Sequence, residues 1–172
     1  LIEEGFDLAI RYGALTDSRL IAKKVANSHR VLCASPDYLQ RKGTPATPEE
    51  LVNHHCLTFV RLAEPMTTWH FQTTEGQQSI TIQPARMTND GALLRRWAVE
   101  GAGIVLKSIW EVTADIEAKR LVTVLDDYTK DFYRKGISSG SDIHVVYPNR
   151  EFLPHRTRGF IDALADYFSQ KI

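Results

Sequence analysis

The chain has 172 residues, of which 43% are hydrophobic, so it can bury a core as one large domain or two small lobes, and its composition argues against disorder. Its 21 basic and 21 acidic residues cancel. A chain without net charge has no long-range field that would draw it onto nucleic acid or an anionic membrane, so any contact with DNA is expected from another segment.

The first residues look like the middle of an element. Leu1–Gly5 resembles the last turn of a helix ending at glycine, and the apolar run Phe6–Ile10 follows at once as a strand. Natural domains rarely start in this way, so we expect the chain to be a fragment. No apolar run approaches the ~18–20 residues of a membrane span, and no charged-then-apolar leader is seen.

Two extended apolar runs follow a polar loop, at Leu20–Val25 and Arg30–Ala34. The second run leads into Ser35 and Pro36, and serine as cap with proline at the first helical position is a standard helix start. We expect this helix to end at Gly43.

A capping box is predicted at the next helix, because Thr47 and Glu50 have the spacing at which each side chain accepts from the other residue's amide. The run Cys56–Val60 then reads as a strand. Alternating residues around a glutamate–glycine turn predict a hairpin that pairs Trp69–Phe71 with Ile80–Ile82.

The stretch Thr88–Trp110 predicts a helix that stops at a glycine and turns into a buried parallel strand. Asn89 or Asp90 can cap the helix, Gly101 ends it, and Ile104–Leu106 forms the strand. One side of the helix carries an apolar stripe of Leu93, Leu94, Trp97 and Ala98. The other side is expected to face water with Arg95, Arg96 and Glu100.

The remaining residues predict a helix at 112–119, a strand at 121–125, a polar loop at 126–142, a strand at Ile143–Tyr147 and a last helix after Pro154. Strands that alternate with helices of this length indicate βαβ units. We therefore expect an α/β fold with a parallel core, to which the hairpin is an antiparallel addition.

Several residue strings along nearly the whole chain resemble the effector-binding domain of LysR-type transcriptional regulators. Their order and spacing carry the resemblance, since no single string is decisive. They are Glu4–Arg11, Arg30–Leu39, His55–Leu57, Trp69–Phe71, Asn89–Gly91, Gly101–Leu106, and Val146–Pro148 through Phe160–Asp162.

The resemblance implies the two-lobed α/β fold of type 2 periplasmic binding proteins, with two crossover segments and an effector bound between the lobes. The crossovers are expected at residues 29–35 and 142–148. Lobe I would comprise residues 1–35 and 142–172 and would be incomplete, and lobe II would comprise residues 36–141. The winged helix-turn-helix DNA-binding domain of the family is absent from this chain.

Candidate effector-binding residues follow from the same resemblance and from physics. Ligands of open α/β sheets lie outside the carboxyl ends of strands, where loops and helix N-termini present amides. For a small carboxylate effector, Arg11 or Arg61 offers a charge-assisted contact, although each arginine can equally be a solvated surface charge. The full set of candidates is Arg11, Tyr12, His29, Ser35, Thr58, Phe59, Arg61, Asn89 and Ile104.

The implied function is that of a non-enzymatic, cytoplasmic sensor that forms homodimers or homotetramers and contacts DNA only through the missing domain. The effector would shift the population of protomer arrangements. The alternative is a free-standing, exported solute-binding protein of the same fold. Free cysteines argue mildly against export, and the LysR-like strings argue against it more strongly.

No cofactor and no metal are expected. The chain has neither a GxSxG nor an HExxH motif. Neighbouring residues of the cluster His54–Cys56 would point to opposite faces of a strand, so they could not all reach one metal ion. Cys33 and Cys56 lie in apolar runs without CxxC spacing and are expected to be buried free thiols.

Overall fold

The computed structural model describes residues 6–12, 20–129, 142–148 and 153–170. Its strands are β1 (Ala9–Tyr12), β2 (Leu20–Ala26), β3 (Arg30–Ala34), β4 (Cys56–Arg61), β5 (Glu64–Pro65), β6 (Thr68–Thr73), β7 (Gly76–Thr81), β8 (Pro84–Thr88), β9 (Ile104–Ser108), β10 (Val122–Val124) and β11 (Ile143–Pro148). Its α-helices are α1 (Pro36–Lys42), α2 (Gly91–Val99), α3 (Ile109–Glu117), α4 (Asp126–Thr129) and α5 (His155–Ser169), and a 3-10 helix covers Pro48–Asn53.

The chain divides into two compact units. The first unit comprises Leu1–His29 and Gly136–Ile172, and the second comprises Arg30–Lys135. The sequence predicts the divisions after residue 35 and after residue 141. The structure places β3 in the second unit because this strand is hydrogen-bonded on both sides to strands of that unit.

An antiparallel sheet of order β1-β11-β2 forms the first unit. Arg11 of β1 lies opposite His144 of the central strand β11. Val145 and Val146 are buried on the two faces of β11, and α5 packs on β2 with Ile161 buried. The predicted first strand is displaced along the chain, since β1 begins at Ala9 and not at Phe6.

The sheet of the second unit is mixed, which corrects the expectation of a parallel core. Its order is β10-β3-β9-β4, and both β5 and β8 also pair with β4. β4 runs parallel to β8 and β9, whereas β3 runs antiparallel to both β9 and β10. The hairpin of β6 and β7 pairs Trp69 with Ile80, as predicted.

Two hydrophobic cores cover the faces of this sheet, and β3 contributes alternate residues to each. Leu32 and Ala34 join the core on the side of α1 and the hairpin, with Tyr38, Leu51, Cys56, Trp69, Phe71, Ile82, Ile104, Val124 and Leu125. Val31 and Cys33 join the core beneath α2 and α3, with Leu57, Leu94, Ala98, Val105, Val112 and Leu121. Burial of these side chains is the main term that holds the unit together.

The structure confirms the helix starts predicted from the sequence only in part. Ser35 caps α1, since its Oγ accepts from Tyr38 N at 3.2 Å, and Gly43 ends that helix with φ of 84°. The capping box at Thr47 is wrong, because this side chain forms no capping hydrogen bond. Glu50 Oε2 accepts instead from Ala46 N at 2.9 Å, and the segment winds as a 3-10 helix.

The third helix begins three residues before the predicted start, at Ile109 rather than Val112. The expectation that Arg95 simply faces water is also wrong. Its guanidinium pairs with the buried carboxylate of Asp115 at 2.5 Å. The strands β5 and β8 and the short helix α4 were not expected from the sequence.

The expected helical turn at Leu1–Gly5, the polar loop at residues 13–19 and most of the loop at 126–142 lie outside the described residues.

Candidate functional site

One edge of the sheet in the second unit gathers the carboxyl ends of three parallel strands. β4 ends at Arg61, β8 at Thr88 and β9 at Ser108. The antiparallel strand β3 begins at the same edge, where Arg30 lies opposite Ser108. Helices α2 and α3 also begin there. In open α/β sheets, ligands are held at edges of this kind.

The start of α2 is capped by Asp90 rather than by Asn89. Asp90 Oδ1 accepts from Ala92 N at 2.8 Å and from Leu93 N at 3.1 Å. Thr88 Oγ1 in turn accepts from Asp90 N at 3.1 Å. Because Asp90 takes the capping role, the exposed side chain of Asn89 is not needed to close the helix.

The start of α3 is a capping box formed by Ser108 and Glu111. Ser108 Oγ accepts from Trp110 N at 3.3 Å, and Glu111 Oε2 accepts from Ser108 N at 3.3 Å. The other carboxylate oxygen of Glu111 pairs with the Nζ of Lys107 at 2.5 Å. This end of the helix is therefore closed by a side-chain network.

Arg30 and Arg61 contribute two guanidiniums to this edge. Within the part of the chain that the structure describes, neither guanidinium forms an ion pair. Arg30 keeps solvent-exposed area, yet the surrounding protein removes part of the hydration of its charge and lowers its pKa. The charge of Arg61 lowers this pKa further, while Glu111 acts in the opposite direction.

The predicted site residues of the second unit divide into two groups. Phe59 is half-buried and packs against the core beneath α2 and α3, whereas Arg61 and Asn89 are exposed. The structure thus brings Phe59 and Arg61 to the end of β4 and places Asn89 directly after β8.

The other three predicted residues of this unit have structural roles in this conformation. Ile104 has 0% of its surface exposed and lies in the hairpin-side core. Thr58 is buried and its hydroxyl donates to Met66 O at 2.7 Å. Ser35 is buried as the cap of α1. In this structure the three side chains pack or form hydrogen bonds within the unit, and their role as effector contacts stays a prediction.

The remaining predicted residues lie in the first unit. Arg11 and Tyr12 are exposed on β1. Burial lowers the pKa of His29 to about 4, and the nearby charge of Asp142 opposes this shift only in part. Asp142 also accepts from Ser28 N at 3.0 Å and pairs with Lys24 at 3.5 Å. His29 is therefore neutral at neutral pH.

Metal and thiol chemistry find no support in the described residues. No group of three or more histidine, cysteine, aspartate or glutamate side chains among them could hold a metal ion. Cys33 and Cys56 are buried free thiols, as predicted, and burial raises the pKa of each to about 12. They are poor nucleophiles in the folded chain.

Sequence reasoning missed Arg30, Lys107 and Glu111. The sequence places Arg30 at the start of a strand and in the first crossover segment, but its position opposite Ser108 depends on strand order. The one local signal was Ser108 followed three residues later by Glu111, which is the pattern of a capping box.

No helix among the described residues is both long enough and apolar enough to span a bilayer.

Comparison with known proteins gives a consistent result. The family model described as the LysR substrate binding domain matches residues 1–169. The HTH-type transcriptional regulator DmlR of Escherichia coli K12 is 31% identical over 170 residues, which cover 99% of this chain and 52% of the relative. The regulator CrgA of Neisseria meningitidis serogroup B is 33% identical over 166 residues, which cover 96% of this chain and 52% of CrgA.

The solved structures that resemble this chain are also LysR-type regulators. The regulatory domain of CrgA superimposes with a TM-score of 0.84 at 33% identity, covering 98% of this chain and 78% of that chain. The full-length virulence activator AphB of Vibrio cholerae gives a TM-score of 0.74 at 27% identity, covering 96% of this chain and 53% of AphB.

The chain spans about half the length of the curated relatives that it matches. These relatives are named as transcriptional regulators, and the findings do not favour a free-standing solute-binding protein. The expected type 2 periplasmic-binding-protein-like fold is confirmed by the likeness to LysR regulatory domains. The chain therefore belongs to the LysR substrate-binding domain family, the effector-binding domains of LysR-type transcriptional regulators.

Proposed function

We propose that this chain senses a small carboxylate-bearing effector, and that Arg30, Arg61 and Asn89 contribute to the binding of that effector. The observation that carries the proposal is that no carboxylate among the described residues pairs with the two guanidiniums at the strand edge where α/β folds hold ligands. Phe59 and the stem of Arg61 add apolar surface beside them. Arg30 joins the predicted set because of its place opposite Ser108.

A carboxylate suits this edge for electrostatic reasons. An anion between two arginines relieves their mutual repulsion and accepts paired, charge-assisted hydrogen bonds. Asn89 supplies a neutral amide that can donate to a second oxygen or accept from a hydroxyl group. An uncharged effector would leave the repulsion in place, so charge is the first property by which this edge selects.

The wider role is that of a non-enzymatic domain within a cytoplasmic homo-oligomeric regulator. An effector that binds one protomer arrangement more tightly than another shifts the population between them, and DNA would be contacted through a domain outside this chain. Arg11, Tyr12 and His29 of the first unit remain predicted effector contacts, and substitution of each tests them separately.

The test uses the purified chain and a matched pair of probes at constant ionic strength. Succinate and butyrate have the same number of carbon atoms but two and one carboxylates. We expect titration calorimetry to show tighter binding of succinate, and Arg30→Gln and Arg61→Gln each to weaken it about tenfold, which corresponds to a loss of about 1.4 kcal/mol.

Arg96→Gln is the matched control. Arg96 is an exposed arginine in the last turn of α2, so this variant removes the same charge from the other end of the helix. Equal effects of Arg61→Gln and Arg96→Gln would mean that succinate binding reflects only general attraction between charges. Absence of carboxylate binding altogether would refute the assignment of this edge.

A further inference from the structure

Lys107 is a buried cation that joins the starts of two helices. Only 6% of its side chain is exposed. Its Nζ donates to Gly91 O, in the first residue of α2, at 3.2 Å and pairs with Glu111 Oε1, in the first turn of α3, at 2.5 Å. A buried ammonium is costly unless it is paired in this way. The pair therefore holds the carboxylate of Glu111 in place as well as the amine of Lys107.

The carboxylate of Glu111 lies close to Arg30. Its Oε2 accepts from Ser108 N, and Ser108 is the residue opposite Arg30 in the β3–β9 pair. Opposite residues of antiparallel strands have Cα atoms about 5 Å apart, so the long Arg30 side chain can reach this carboxylate. The effect of Glu111 on the pKa of Arg30 agrees with this proximity. Arg30 and Glu111 nevertheless form no ion pair.

Two further carboxylates lie at the same edge. Glu64 is opposite Arg61 in the β4–β5 pair, and Asp90 accepts from the first amides of α2. In the described part of the chain, neither of them forms an ion pair with Arg30 or Arg61. Glu111 is the carboxylate that is hydrogen-bonded to Ser108, the residue opposite Arg30.

We infer that Lys107 is a positioning residue: by engaging Glu111 it prevents a Glu111–Arg30 pair and so leaves Arg30 available, together with Arg61, to an anionic effector. The inference rests on the proposed function only for the last step, the use of the two arginines. The competition between Lys107 and Arg30 for one carboxylate is a property of the chain alone.

The test measures the reactivity of Arg30 without any effector. Phenylglyoxal modifies accessible guanidiniums, and peptide mapping by mass spectrometry gives the rate at Arg30 relative to Arg96. In Lys107→Met, Glu111 is free to pair with Arg30, and we expect modification of Arg30 to slow about threefold or more. In the double variant Lys107→Met/Glu111→Gln, the rate should return to that of the unsubstituted chain.

Glu111→Gln alone keeps the test decisive if Lys107→Met does not fold, as judged by near-ultraviolet circular dichroism. Glu111 is already engaged by Lys107, so its loss should leave the rate at Arg30 within about twofold of the original. A marked rise would mean that Glu111 already shields Arg30, and it would overturn the inference. An unchanged rate in folded Lys107→Met would do the same.

Protection by succinate separates this inference from the proposed function. If the variants behave as expected but succinate does not slow modification of Arg30 and Arg61, the role of Lys107 stands and the proposed effector edge is wrong. If succinate protects both arginines while the Lys107 and Glu111 variants have no effect, the edge stands and the inference is wrong.

Discussion

Gly103 lies directly against the backbone of His55. A Cβ atom at position 103 would stand 2.2 Å from His55 O, the same oxygen that accepts from Ile104 N at 2.8 Å. This contact joins the beginnings of the parallel strands β4 and β9. Only glycine allows the two backbones to approach so closely.

Gly103→Ala should therefore lower the free energy of unfolding by about 3 kcal/mol, because a methyl group cannot be accommodated without moving one strand. Urea denaturation followed by circular dichroism measures the change. Gly159→Ala is the control: nothing lies within 4 Å of a Cβ there, and alanine should stabilise helix α5 by about 0.5–1 kcal/mol. Similar stability of the two variants would contradict the prediction.

Asp115 should be the costliest acidic residue to remove from the α2–α3 region. Its side chain is 1% exposed and accepts from Arg95 at 2.5 Å and from Arg120 at 2.7 Å. Asp115→Ala leaves both arginines without this partner and opens a polar void, so we expect a loss of about 3 kcal/mol in urea denaturation. Asp37→Asn breaks an exposed pair with Arg41 and should cost less than about 1 kcal/mol.

The contribution of Asp115 to the stability of the chain should also depend on pH. Burial tends to raise the pKa of Asp115, but hydrogen bonds from Arg95 and Arg120 outweigh burial and lower it below the ordinary value of 3.8. The stabilisation is therefore complete above about pH 4 and lost as the pH falls through the lowered pKa. A stability difference between the original chain and Asp115→Ala that does not shrink in acid would contradict this.

His29 should titrate far below an ordinary histidine. Its pKa is lowered from 6.5 to about 4, chiefly by burial. Since the unfolded chain then binds the proton more readily, the contribution of His29 to stability is complete above pH 6.5 and is lost as the pH falls towards 4. NMR titration of the ring should show this pKa. His29→Gln should remove this dependence of stability on pH between pH 6.5 and 4, and an unchanged pH dependence in this variant would contradict the prediction.

The two cysteines should be inert in the folded chain. With pKa values near 12, Cys33 and Cys56 are almost entirely protonated at pH 8, and both are buried. Reaction with Ellman's reagent should be at least about 100-fold slower than in urea-unfolded chain. Rapid reaction of one thiol in the native chain would show that its strand opens readily.

Local signals explain what could be predicted from the sequence. Ser35 with Pro36 fixes the start of α1, and alternation fixes the pairing of Trp69 with Ile80, because both depend on residues close in the chain. The same holds for the end of α1 at Gly43. Such elements could be placed without knowledge of the fold.

Tertiary pairing explains what could not be predicted. The direction of β3 depends on which strands flank it, so neither the mixed sheet nor the place of Arg30 beside Ser108 follows from local pattern. The same is true of Arg95. Helical periodicity predicts that this side chain faces water, but it forms an ion pair with Asp115 of another helix. The side chain of Ile104, one of the predicted effector contacts, lies in a core, and that position also depends on strand pairing.

Strand β3 connects the exposed Arg30 to the two buried cores of the second unit. Its four residues after Arg30 are all buried, two in each core, so a shift by one position would exchange every one of them between unlike environments. The guanidinium at its beginning is consequently located by packing on both faces of the sheet. Substitutions at Leu32 or Cys33, which are buried in the two cores, would then displace Arg30 as well as lower stability.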